Sequence, residues 1–345
     1  MGQRSRLLVA QVAVPYIRRH FRRLLRALEG VPSAKDPESV HQTRVACRRL
    51  RAALSVFREL IGSKKADRWR KIVRNLAVVF GPARDLDVEI ASTLSQMLRI
   101  EDQTVLHGLA FWLSHLEEQR FQMQRQLIRA VRVFRKQPLV KEINRWIKAH
   151  DHGRMSSDLT QLHSKIFLTK AQQELLSGRL AELLQASESL ADPTDIEGHH
   201  ALRIAAKKLR YSIEALAPAL GVIHEVALEA LRNIQSLLGE IHDYDVWTNR
   251  IDEAVDSLSE NGFDGPSWLN PVRFTPGLVY LRDRYRELRE LRFRQLVDLW
   301  HDEKIQGIWK AFQDFRVVSE PGGPSQDENT IDTTNVASSM NEECL

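Results

Sequence analysis

Apolar residues recur along most of this chain at spacings of three and four, and the strict alternation of a half-buried strand is nearly absent. The pattern predicts an all-α protein. Helices are expected over about 8–28, 37–61, 66–80, 84–98, 105–136 and 139–148, with Gly30, Pro32, Gly62, Gly81-Pro82 and Pro138 as punctuation. His150, His152 and Gly153 mark a break. Beyond it, helices are expected over about 159–191, 196–220, 225–238 and 243–259, a Gly- and Pro-rich loop over 261–276, and helix over 277–315 broken near Gly307.

One of these helices is unusual in what it places opposite its apolar side. On a helical wheel of 100° per residue, His41, Arg44, Arg48 and Arg51 fall within about 80° of one another. Ala46, Leu50, Ala53, Leu54, Phe57 and Ile61 cluster on the other side. One face buries, and the other carries a row of cations about 15 Å long. No glutamate at four-residue spacing pairs these charges, and like charges on one face repel. His200, Arg203, Lys207 and Arg210 repeat the spacings, with Leu202, Ala205, Leu209, Ile213 and Leu216 behind them.

The duplication extends further. Leu50 and Leu209 correspond, as do Arg74-Asn75 and Arg232-Asn233. The stretch Gly81 to Val88, with Arg84-Asp85-Leu86-Asp87, matches Gly239 to Val246, with His242-Asp243-Tyr244-Asp245. An internal repeat of helical units predicts two bundles about an approximate twofold axis, residues 1–153 and 154–316, able to turn both cationic rows toward one basic central cavity. The copies are unequal. Arg48-Arg49 become Lys207-Lys208, Glu214 stands where the first copy has Ser55, and Glu229 stands where it has Lys71.

Charge changes the picture only in its distribution. The formal net charge is +5, yet residues 317–345 contain six acidic and no basic side chains, so the body carries about +11. That points to a polyanionic partner, and the acidic tail is expected to be disordered. Two cysteines, Cys47 and Cys344, form neither a disulfide framework nor a Cys-x-x-Cys site, which fits a reducing, cytoplasmic setting. No apolar run reaches the length of a membrane-spanning helix, and no membrane association is expected.

An arginine-rich row suits phosphate, because guanidinium makes bidentate charge-assisted bonds. His41 and His200 lead the rows as phosphate donors, as added cations, or as packing groups at a helix start; their cationic neighbours would repel a metal ion, and no metal or cofactor is expected. Arg74 and Arg232 lie on polar helix faces and join the candidate site. Asp85 and Asp243 either cap new helices or orient the arginines. Gly-rich phosphate loops, His-Glu-x-x-His and Gly-x-Ser-x-Gly are missing, and no enzyme is expected. Tyr211, itself a candidate binding residue for the polyanion, is the one aromatic beside the rows, and the lack of others argues against stacking on single-stranded nucleic acid. The remaining alternatives are another polyanion and a histidine-dependent metal or phosphate-transfer reaction.

The pattern His41-x-x-Arg44-Val45-x-x-Arg48-Arg49-Leu50-Arg51, followed by Gly81-x-x-Arg84-Asp85-x-Asp87-Val88, resembles the CHAD family, the conserved histidine α-helical domain. The second copy, His200 to Tyr211 with Lys207-Lys208-Leu209-Arg210-Tyr211 and then Gly239 to Val246, is similar to the family's second repeat. The resemblance covers about residues 8–316. It implies two helical bundles with pseudo-twofold symmetry and a basic cavity that binds inorganic polyphosphate without catalysis, in members often found at polyphosphate granules. The family's binding residues map onto His41, Arg44, Arg48, Arg49 and Arg51, and onto His200, Arg203, Lys207, Lys208 and Arg210. His242 in place of Arg84 is a departure that makes equal contribution by the two halves doubtful.

Overall fold

A computed structural model describes residues 3–33, 37–151, 168–220, 223–260 and 271–314, and among them every regular element is helical. The acidic tail and the expected helix start at 159–167 lie outside the described residues. Helix α1 is Gln3–Gly30, α2 Glu38–Val56, α3 Arg58–Ile61, α4 Ser63–Val79, α5 Gly81–Met97, α6 Gln103–Arg135 and α7 Pro138–His150. They are followed by α8 Lys170–Ala186, α9 Ile196–Leu220, α10 Ile223–Glu260, α11 Thr275–His301 and α12 Glu303–Asp314.

Local chemistry sets most of the ends. Gly62 stops α3 at φ 94°, a left-handed conformation that favours glycine. Asp102 caps α6, accepting from the Thr104 and Val105 amides at 2.7 and 3.3 Å. Thr169 and Gln172 form a reciprocal capping box at the start of α8. Two expectations fail. The break expected near Gly307 falls at Asp302, whose carboxylate accepts from the Lys304 amide at 2.9 Å and so starts α12. Gly239 does not end a helix: α10 runs through it unbroken.

The apolar side of α2 is buried as its spacing requires. Leu50, Ala53, Leu54 and Phe57 lie in the core where α2 packs on α1 and α4. Fully burying one such leucine contributes about 1.5–3 kcal/mol. On α9, Leu202, Leu209, Ile213 and Leu216 are buried in the same way, against α8 and α10. The two cation-bearing helices also pack directly on each other.

A second core joins segments from both sides of residue 153. Leu86 of α5, Leu109 and Trp112 of α6, Tyr244 and Trp247 of α10, and Leu281 and Tyr285 of α11 form one cluster. Helices α6 and α11 cross so closely that a Cβ on Gly108 would come within 2.6 Å of the Gly277 Cα. Only glycine fits on either side of that contact. Glu89, fully buried, is ion-paired with Arg250 across the same core. Burial lifts the Glu89 carboxyl to about 7 against the pull of Arg250.

Candidate anion-binding site

Because α2 and α9 pack together, their cationic rows meet. Arg44 and Arg48 from α2 lie among the charged neighbours of Arg203 and Lys207 from α9. Burial, then Arg203, Arg48 and Arg44, hold the Lys207 ammonium down to about 7, with Asp243 opposing them. Two carboxylates flank the group at matching distances. Arg44 Nη2 is 3.8 Å from Asp85 Oδ1, and Arg203 Nη2 is 4.0 Å from Asp243 Oδ1. Both aspartates lie inside helices, Asp85 in α5 and Asp243 midway along α10, so neither is a cap. They flank the arginines instead.

Gly81 has a specific part in this arrangement. A Cβ there would come within 2.9 Å of Arg44 Nη1, so the missing side chain makes room for the guanidinium over the start of α5. The Nε atoms of Arg48, Arg51 and Arg203 are buried with no hydrogen-bond partner. A buried donor left unpaired costs about 1–3 kcal/mol, and more when charged. Three such donors on one pair of helices are what an oxyanion would satisfy.

The remaining predicted residues are not equivalent. Arg49 and Arg210 both donate to Glu214, at 3.0 and 3.1 Å, so one carboxylate ties α2 to α9. Arg210 also donates to Gln235 Oε1 at 3.0 Å. Tyr211 is buried, with the Arg210 and Arg48 guanidinium carbons 5.2 and 6.0 Å from its ring centre. Lys208 turns outward to an exposed ion pair with Glu182 at 2.8 Å. Arg74 is exposed on α4, with Arg51 as its neighbour, and Arg232 is exposed on α10.

The two leading histidines differ as well. His41 is half-buried; burial, Arg84, Arg48 and Arg44 lower its pKa, while Glu38 opposes them. His200 is exposed and stacks on His242 with ring centres 5.1 Å apart. Its pKa is lowered by partial burial and by His242, Arg203 and Lys207. Both imidazoles are therefore neutral at pH 7, able to donate or accept a hydrogen bond but adding no charge. His200 and His242 border a hollow of about 470 Å³ together with Glu197 and Asp245, at the end of the site rather than between the rows. His199 is buried against Phe293, with Nε2 3.1 Å from the Ser189 carbonyl oxygen.

Some residues escaped the sequence reading. Asp87 and Asp245 anchor the long helices, accepting from Arg120 at 2.7 Å and from Arg289 at 2.9 Å. Their matched positions in the two Asp-x-Asp blocks were the available signal. Arg179 of α8 donates to the Lys208 carbonyl oxygen at 3.0 Å and to Ser55 Oγ at 3.3 Å. No spacing marks it, because its contacts cross between helices.

A fold that is helical in its regular elements among the described residues, with paired cationic helices that present unpaired guanidinium donors, is the class defined by fold and site together. The CHAD domain family model matches residues 15–252, and the chain belongs to that family. It is similar to two uncharacterized Mycobacterium tuberculosis proteins, MT2285 and Rv2226, each 26% identical over 268 residues, covering 75% of this chain and 48% of theirs. The chain thus spans about half the length of these relatives. Its fold is similar to the crystal structure of the CHAD domain from the plant Ricinus communis, with a TM-score of 0.59 and 20% identity over 90% of this chain and 94% of that one. It is also similar to PptA from Streptomyces chartreusis, with a TM-score of 0.52 and 14% identity over 87% and 99% of the respective chains. Among the described residues, no helix is long and apolar enough to cross a membrane.

Proposed function

We propose that this protein binds inorganic polyphosphate, without chemistry, along the facing cationic rows of α2 and α9. The observation that carries the reading is the convergence of Arg44, Arg48, Arg203 and Lys207, with the Nε atoms of Arg48, Arg51 and Arg203 buried and unpaired. A linear polyphosphate supplies closely spaced oxyanions to such a row and no bases to be stacked or read. Tyr211 supports this over single-stranded nucleic acid, since its buried ring is flanked by two guanidinium groups rather than open to a base. In this reading the paired distances at Asp85 and Asp243, and at Asp87 and Asp245, reflect an internal repeat about a pseudo-twofold axis with a basic cleft on it. The setting we propose is cytoplasmic, at polyphosphate granules.

Competition tests the ligand. Unlabelled long-chain polyphosphate should displace labelled polyphosphate at concentrations where single- and double-stranded DNA do not. Equal displacement by DNA would show a general polyanion binder. Incubation with polyphosphate and a divalent metal should leave chain length unchanged; sustained release of phosphate would show an enzyme instead.

A further inference from the structure

The two cationic rows end differently. Position for position, Arg51 of α2 matches Arg210 of α9, and Ser55 matches Glu214. Glu214 and Gln235 hold Arg210, whereas the Nε of Arg51 is buried and unpaired. Where Glu214 would stand, Ser55 instead receives Arg179. Beyond Arg51 lie Arg70 and Arg74 of α4, both exposed, and Arg70 is in turn a neighbour of Arg179. The corresponding positions on α10 hold the buried Leu228 in place of Arg70, and Arg232 in place of Arg74. Two carboxylates border the group, each already engaged: Asp67 with Arg58 at 2.8 Å, and Glu182 with Lys208 at 2.8 Å. Asp67 also stands 3.9 Å from Arg70. At the Glu214 end, Arg19 and Arg23 of α1 are exposed further out, but the row's own last arginine is engaged.

We infer that Arg51, Arg70, Arg74 and Arg179 form a one-sided exit subsite, which takes phosphate groups of a polyphosphate chain that overruns the central row. This rests on the reading of the rows as a polyphosphate site and adds a direction to it. A bound chain leaves over α4 and α8, and chains longer than the row gain affinity from the exit.

The test measures binding of tripolyphosphate and of long-chain polyphosphate to the full chain at several salt concentrations. Arg70→Gln with Arg74→Gln, both at exposed positions, should weaken long-chain binding about tenfold. It should also lower the slope of log affinity against log salt by about 0.7 per lost contact. Tripolyphosphate binding should stay within about twofold, because the central row is intact. Ser55→Glu, which copies the Glu214 arrangement and engages Arg51 of the row itself, should lower both affinities, that for the long chain more than that for tripolyphosphate, without removing an arginine. Unchanged long-chain affinity in both variants, or equal loss of both ligands, overturns the exit. Failure of the unaltered protein to bind either ligand overturns the polyphosphate reading itself, and is distinguishable because it precedes any variant.

Discussion

Helix α2 closes its cationic row on an arginine whose Nε has no partner, and α9 closes its row on one held by Glu214 and Gln235. The spacing of cations is the same in both helices, so spacing alone does not make a binding group. One difference lies at the end of the row, serine in one helix and glutamate in the other. Glu214 turns Arg210 and Arg49 into a brace between α2 and α9, where Ser55 leaves Arg51 available. Lys207 against Arg48 is a second inequality, since only the lysine can lose its charge near neutral pH.

The comparison breaks outright if the shared centre is removed. Arg44→Ala with Arg48→Ala should weaken polyphosphate binding about 100-fold or more, from two charge-assisted contacts of about 1.5–3 kcal/mol each, with helical content retained by circular dichroism. Normal binding by that variant would show that the ligand lies elsewhere. The next effect in size is pH. Folding lowers the Lys207 pKa from 10.5 to about 7, so between those values the unfolded chain holds the extra proton. This residue's contribution to stability therefore rises with pH from about 7 to 10.5. Binding an anion favours the charged form, so affinity should fall about fivefold from pH 7 to 8 as the competent fraction drops. His41 and His200 are both held below the ordinary imidazole range, so neither supplies this change, and Lys207→Arg should flatten the profile in titration calorimetry. A native profile as flat as the variant's would assign the lysine no part.

Smaller effects sharpen the contrast between the ends. Glu214→Ser should free Arg49 and Arg210, raising long-chain affinity about threefold while lowering stability by about 1–3 kcal/mol in chemical denaturation. Lys208→Ala should change binding by less than about twofold, because Lys208 faces solvent and Glu182, and an exposed pair contributes about 0–1 kcal/mol. A large loss there would return Lys208 to the site.

The sequence made α2 legible because both of its faces are written at helical spacing: Leu50 and Leu54 toward the core, Arg44 and Arg48 away from it. Glu214 could be read as a departure from the first copy, and the structure gives that departure its partners. Asp243 was harder. Glycine at position 239 suggests a helix end locally, but the buried Leu238 and Ile241 carry α10 through it, so the aspartate lies in mid-helix beside Arg203. Arg179 was not legible, since its partners Ser55 and Lys208 belong to other helices and no local spacing records them. That Arg49 joins a brace rather than the cationic row likewise depended on where α9 packs.

The backbone crossing at Gly108 and Gly277 bears on how this polypeptide comes off the ribosome. When α1 to α7 have emerged, Leu109 and Trp112 still lack the α10 and α11 residues they pack with in the finished molecule. Glu89 likewise waits for Arg250. The seam can seal only after α11 has been made, and contacts between residues so far apart in the chain go with slower folding. A nascent chain in this state shows aromatic surface and the unshielded cationic face of α2 at once, a combination that invites capture by ribosomal RNA or by chaperones before α9 has been made.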